Sequence, residues 1–281
     1  MSPMSQSRRR PGRWIGRVGP LAAALLAGGL AFAQPDDWEI EGEDRGGIPV
    51  WDVDKEHPDD VFTFVRVKYP SMGGRRRWGR AWHTDYPASD MNLSFRLQQL
   101  TSLKVNPHPK VVELTDPALF DYPFIYLIEP GAMSLDDVQV ANLRRYLLAG
   151  GFMMIDDFWG EHEWNNFYEE MKRVFPEREP VELDISHPIF SAVFPLKQKP
   201  QVPSIHAWYG TGLTYERDDA QTPHYRAWFD DQGRMMAIAC HNTDLGDGWE
   251  REGEDAEYFR KFAEPQSYPM GINIIFYAMT H

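Results

Sequence analysis

An α/β fold organised around a mostly parallel sheet is predicted by three features of the sequence. Between Phe124 and Gly160 an apolar run (FIYLI), a helix-patterned stretch stopped by Gly150 and Gly151, and a second apolar run (FMMI) follow one another. A strand, a helix and a strand in that order imply a right-handed crossover between parallel neighbours. Both apolar runs lack alternation, as expected of strands covered on both faces. The runs end in Glu129 and in Asp156-Asp157, and ligands of such sheets sit beyond the carboxyl ends of the strands.

Residues 1–33 stand apart from this fold. Arg8, Arg9, Arg10, Arg13 and Arg17 precede the apolar run Leu21 to Phe32, and Ala31-Phe32-Ala33 is a small-residue cleavage pattern. That is the layout of a secretory signal peptide, with Ser7-Arg8-Arg9 hinting at twin-arginine export. The apolar run falls short of the roughly 20 residues that span a bilayer, so no stable membrane span is expected after cleavage near Ala33. The expectation is an exported protein, periplasmic or extracellular. Residues 34–60 are acidic and aperiodic and read as a linker; residues 61–281 form the folded domain.

Val61 to Lys68 alternates as VFTFVRVK and predicts the first strand. Tyr69 to Asp90 is too long and glycine-rich for an ordinary connection. Asp90 to Ser102 carries a helical stripe of Leu93, Leu97 and Leu100, with Ser89 or Asp90 as its cap. Lys110 to Leu114 is a short strand. In the central unit Ser134 is the expected helix cap with Asp137 in the first turn, and Leu135, Val138, Tyr146 and Ala149 form the inward stripe, joined at its edge by Leu143 and Leu147. His162 to Phe175 predicts a helix and Val181 to Ile185 a strand. His224 to Phe229 and Arg234 to Cys240 predict a hairpin about Asp230-Asp231-Gln232-Gly233. A loop from His241 to Glu252 then leads to helices over Asp255 to Phe262 and Pro269 to Met279.

The formal net charge of −13 argues against a nucleic-acid partner. Cys240 is the sole cysteine, so an intrachain disulfide is excluded and stability must come from the core.

Four ordered motifs carry a family resemblance: WHTDYPASDMNL (Trp82 to Leu93), GGFMMIDDFWG (Gly150 to Gly160), HPIF (His187 to Phe190), and TDLGDGWE (Thr243 to Glu250) followed by GINIIFYAMTH. Together they resemble the bacterial domain of unknown function 4159 family. The resemblance implies a flavodoxin-like three-layer sandwich of the class I glutamine amidotransferase-like superfamily, with a C-terminal hairpin and helices added. It implies no activity. Amidotransferases place a nucleophilic cysteine directly after a central strand; here Asp156 and Asp157 stand there, so that chemistry is not carried over.

Candidate site residues are Arg80, His83, Asp85, Asp90, Asp156, Asp157, Trp159, Asp244, Asp247 and Trp249. Carboxylates and histidines gathered at strand ends suit a divalent metal or acid–base work. No recognisable ligand spacing is present, and the commoner reason for Asp156 or Asp157 there is to cap the next helix. Arg75, Arg76, Arg77 and Arg80 suit an anion, or simply ion pairs with an acidic surface. Asp244 and Asp247 suit an ion or a cap. Cys240 and His241 are adjacent in an extended segment and point to opposite faces, which excludes a direct nucleophile–base pair. Loop tryptophans suit sugar stacking or the closing of a core.

The expectation is a non-catalytic binding protein for a small anionic or sugar ligand, or for an envelope protein partner, with no resident cofactor. The alternative is a metal-assisted or carboxylate-dependent hydrolase acting on a carbohydrate or amide.

Overall fold

The computed structural model describes residues 45–53, 55–57, 60–72 and 81–281. The signal segment, the first part of the linker, and Arg75, Arg76, Arg77, Trp78 and Arg80 lie outside the described residues.

Seven strands form the main sheet: β2 (Val65–Lys68), β4 (Lys110–Glu113), β5 (Phe124–Ile128), β6 (Phe152–Asp156), β7 (Val181–Glu182), β8 (His224–Phe229) and β9 (Met235–His241). Their order is β4-β2-β5-β6-β9-β8-β7. The contacts from β4 through β9 are parallel, and β9–β8 and β8–β7 are antiparallel. A separate parallel pair joins β1 (Val61–Phe62) to β3 (Lys104–Val105).

Successive residues of the central strands serve different cores, which explains their unbroken apolarity. Phe124, Tyr126 and Ile128 pack with Leu93, Leu97, Trp249 and Ile272. Ile125 and Leu127 pack with Leu143, Leu147, Phe167 and Met171 on the other side. The helices supplying these residues are α1 (Ala88–Leu100), α5 (Leu245–Glu250) and α7 (Tyr268–Thr280) on the first face, and α2 (Asp137–Leu148) and α3 (Gly160–Val174) on the second. The mixed α/β architecture with a mostly parallel sheet is as predicted.

Several local details differ from the expectations. The first predicted strand breaks at Thr63-Phe64 into β1 and β2, because its two halves pair with different partners. Helix α1 begins after Pro87 with no side-chain cap; Ser89 and Asp90 turn inwards to Arg66 instead. The cap of α2 is Asp136 rather than Ser134: Asp136 accepts from Gln139 N at 2.8 Å and Gln139 Oε1 accepts from Asp136 N at 3.0 Å. That later start leaves Val138 60% exposed, while Tyr146 and the edge residues Leu143 and Leu147 face inwards as expected.

Strand β7 is shorter than predicted, and the β8–β9 hairpin is as predicted. Helix α5 lies where a loop was expected, and a short helix, α4 (Ile205–Thr211), forms in a stretch for which the sequence predicts no element. The last two predicted helices are one continuous path in which α6 (Ala256–Tyr258), capped by Asp255, widens into a π-helical stretch over Phe259–Ser267 before α7. Among the described residues no helix is long and apolar enough to cross a membrane.

Candidate functional site

The carboxyl ends of β2, β5, β6 and β9 converge on one cleft. Its first wall is fixed from within the sheet by Arg66 of β2, which is fully buried. All five of its donors are used: Nε and Nη2 on Asp90 at 3.0 and 2.5 Å, Nη1 on the carbonyls of Trp82 and Thr84 at 2.9 and 2.7 Å, and Nη2 also on Ser89 Oγ at 2.9 Å. A planar guanidinium fork is the one side chain able to bind so many acceptors at once. It pins the segment from Trp82 to Asp90, and Asp85 at its centre is held at φ 62°.

Glu129 directly after β5, Asp157 directly after β6 and Asn242 directly after β9 share that left-handed backbone, at φ 50°, 53° and 63°. Among the described residues these three and Asp85 are the only non-glycine positions with positive φ. Such conformations persist where the surroundings over-determine them, and they gather at ligand sites.

Asp156 is buried at the end of β6; its Oδ2 accepts from Gly246 N at 3.0 Å and from the Tyr126 hydroxyl at 3.1 Å, while Oδ1 has no hydrogen-bond partner. Burial pushes its carboxyl up to about 7, against the pull of those donors. Asp157 Oδ1 accepts from the Trp159 indole at 2.9 Å.

Neither acid caps α3, contrary to the commoner reading of the sequence. The first N–H groups of α3 are taken by distant side chains: Gly160 N by Asn242 Oδ1 at 2.8 Å and Glu161 N by Asp219 Oδ2 at 3.0 Å. Glu163 accepts from Trp159 N at 2.8 Å. Gly160 has φ 74°, and the Asp219 carboxylate lies 2.5 Å from where its Cβ would stand, so a glycine is required.

His241 completes this clamp. Arg226 reaches Nδ1 at 3.1 Å and can only donate, so Nδ1 accepts and the Nε2 proton is directed to Gly160 O at 3.1 Å. Burial and the neighbouring Arg226 guanidinium lower His241 to about 3, leaving it neutral. Cys240 is sealed in the core, where burial raises its thiol far above the usual range.

The second wall is α5. Asp244 caps it, accepting from Asp247 N at 2.8 Å, and Asp247 Oδ2 accepts from Ile205 N at 2.8 Å. The glycines of this helix mark close approaches. A Cβ on Gly246 would stand 2.6 Å from Asp85 Oδ2 and 2.9 Å from the Tyr126 hydroxyl, and one on Gly248 would meet Ser267 of the π-helical stretch at 2.6 Å.

The cleft between these walls has a volume of about 760 Å³. Asp85, Glu129, Asp157, Asp244 and Asp247 line it together with Glu163 and Glu216, against Arg217, Arg251 and the exposed His206. So many acids in a poorly solvated space resist ionisation together. Burial first, then Glu250 and Asp247, raise Asp85 well above the carboxylate range. Burial, then Glu129 and Glu216, do the same for Asp157, and burial, then Asp157 and Asp85, for Asp244.

Of the residues predicted from sequence, Asp85, Asp157, Trp159, Asp244 and Asp247 line the cleft, and Asp156 lies just beneath. Asp90 serves Arg66. His83 packs edge-on against Trp82 and Tyr86, with both ring centroids 5.2 Å away, and is not in the lining. Trp249 is fully buried against Tyr126. Glu161 and His162 are exposed on α3. Glu216, Arg217, Arg251 and His206 were missed: Arg251 lies just past the Thr243 to Glu250 motif, His206 in a stretch without a motif, and Glu216 and Arg217 in a coil that no periodicity marks.

Comparison of the chain with functionally curated proteins gives no match. The sequence pattern of one family, described as a domain of unknown function, matches residues 63–279, the span that contains every cleft residue named above. The chain belongs to this family, DUF4159.

Proposed function

We propose that the protein is a non-catalytic binding protein whose cleft takes a small ligand rich in hydroxyl groups or bearing an amine. The observation that carries this is the set of raised carboxyl groups, Asp85, Asp157 and Asp244, facing one another in a cleft at the strand ends. A protonated carboxyl donates and an ionised one accepts, which matches the two-way hydrogen bonding of a sugar; an ionised cluster also attracts an ammonium group. Trp159 offers an aromatic lining beside them. An anionic ligand suits the described lining poorly, since its acids outnumber Arg217 and Arg251.

Against catalysis by a cysteine nucleophile stand the burial of Cys240 and the engagement of both His241 nitrogens. The finer fold assignment belongs to this proposal too. Counted among the parallel strands alone, the order is 2-1-3-4-5, which supports a flavodoxin-like sheet related to class I glutamine amidotransferases. The arginine-led apolar segment at the start of the sequence supports export.

A thermal-shift screen of sugars, polyols, amines and small carboxylates in chelator-containing buffer tests the reading. Sugars or amines should raise Tm in the wild type and not in Asp157→Asn, and carboxylates should do nothing. Stabilisation by carboxylates alone, or none by any class, overturns it.

A second reading, carboxylate-dependent hydrolysis, is favoured by one feature: neighbouring carboxyls of differing proton affinity supply both an acid and a base. Turnover of chromogenic glycosides or amides, lost in Asp157→Asn, would put it first.

A further inference from the structure

We propose that Asp85, Asp247 and Glu250 bind one calcium ion at the α5 wall of the cleft. This rests on the reading of the cleft as a ligand site and names an inorganic component of it. One carboxylate oxygen from each residue lies within 4.8 Å of the other two. Calcium bonds oxygen at about 2.3–2.6 Å, so ligands on opposite sides of its shell stand about 4.6–5.2 Å apart; a magnesium shell is tighter, about 4.0–4.2 Å across. The all-carboxylate donor set suits a hard divalent cation, and a spacing of up to 4.8 Å admits the wider shell of calcium.

A cluster of acids alone would not distinguish an ion site from a solvated surface. The second observation is Asp85 Oδ2, which is sealed from solvent and accepts no hydrogen bond. It projects over Gly246, where the missing side chain leaves it room, and its backbone is fixed in the left-handed region by the Arg66 strut. Beside it, at the same glycine, Asp156 is entirely buried with Oδ1 also unpartnered.

Among the described residues the neighbouring guanidinium groups do not meet this need. Arg251 pairs with Asp247 at 3.3 Å, Glu250 at 2.7 Å and Glu254 at 3.3 Å. Arg66 acts on Asp85 through its charge but spends its donors on Asp90, Trp82 O, Thr84 O and Ser89, so neither arginine gives Asp85 Oδ2 a hydrogen bond. A divalent ion between Asp85, Asp247 and Glu250 adds positive charge among three acids and takes up the unpartnered carboxylate. Ions of this kind keep open coordination positions for water or ligand hydroxyls, so the site would present calcium to whatever enters the cleft.

The test is calorimetric titration of calcium chloride, and separately magnesium chloride, into chelator-stripped protein, with Tm recorded with and without calcium. The expected result is one calcium per chain, weaker magnesium binding, and a Tm that rises with calcium. Asp85→Asn, which keeps the shape and tolerates the left-handed backbone, should weaken calcium at least ten-fold while folding normally in chelator. Glu250→Gln, on the more solvated side, should weaken it independently. No calcium binding by folded wild type, or wild-type affinity in either variant, overturns the proposal. Sugar or amine binding that persists in chelator while calcium fails to bind would sink the ion site and leave the ligand cleft standing. Calcium binding without any organic ligand would do the reverse.

Discussion

Replacing Arg66 by lysine keeps the positive charge and removes the fork. The five donors of Arg66 serve Asp90, Trp82 O, Thr84 O and Ser89. An ammonium group offers three, so at least two of these five hydrogen bonds are lost. Hydrogen bonds to charged groups contribute about 1.5–3 kcal/mol each, so Arg66→Lys should cost about 3–6 kcal/mol. Arg66→Met leaves Asp90 buried and unpaired and should cost at least as much, by about 3–5 kcal/mol for the broken pair alone. The double variant Arg66→Met/Asp90→Leu should be more stable than the sum of the single losses, because the stranded charge is gone. Urea unfolding of the three variants measures this. The same strut fixes Asp85, so Arg66→Lys should also weaken any ligand that depends on Asp85. A loss below about 1 kcal/mol in Arg66→Lys, with ligand affinity intact, would refute the view that this fork builds the first wall of the cleft.

Other consequences concern the floor and the second wall. Asp156 titrates at about 7 in the folded protein and at about 3.9 unfolded. Between those values the folded chain holds a proton that the unfolded chain has lost, so stability should fall as pH rises, by about 4 kcal/mol over the whole window. Asp156→Asn should remove that slope, as read from urea midpoints at pH 4 and 7.5 in chelator; parallel pH profiles would contradict it. Gly246→Ala drives a methyl into Asp85 Oδ2 and the Tyr126 hydroxyl and should cost about 1–3 kcal/mol, whereas the same change at Gly233 should cost only what its positive φ demands, with no close contact to relieve. Gly160→Ala meets both a positive φ and the Asp219 carboxylate, and should loosen the Asp157–Trp159 segment, visible as faster amide exchange at the start of α3.

The sheet was legible because burial on both faces leaves a mark that needs no partner: FIYLI and FMMI are apolar at every position. The β8–β9 hairpin was legible from its turn, where Asp230 Oδ1 accepts from both Gln232 N and Arg234 N at 2.9 Å. Helix caps were legible only in kind. Ser134 and Asp136 are both good caps, and the one used is Asp136, whose third following residue, Gln139, closes a reciprocal capping box. Helix α5 was hidden because its glycines, which local propensity counts against a helix, are there for close packing against Asp85 and Ser267. Asp157 is legible from the rule that residues just past a strand end face the ligand side, Asp85 from its place in an over-long loop, and Asp244 and Asp247 from a glycine-flanked loop. Asp90 and His83 belong to the same long loop and go elsewhere, since only the position of Arg66 decides that Asp90 is an internal counter-ion.

The central claim is that the cleft holds carboxyl groups kept from ionising together, and carbon-detected NMR titration of the Asp85, Asp157 and Asp244 carboxyls in ligand-free, chelator-treated protein tests it most directly. The account predicts that these groups hold protons well above the ordinary aspartate value of about 3.9, and that their titrations shift when any one of them is changed to asparagine. Three independent titrations at or below that value would contradict it, and would describe a solvated acidic surface with no call for a ligand.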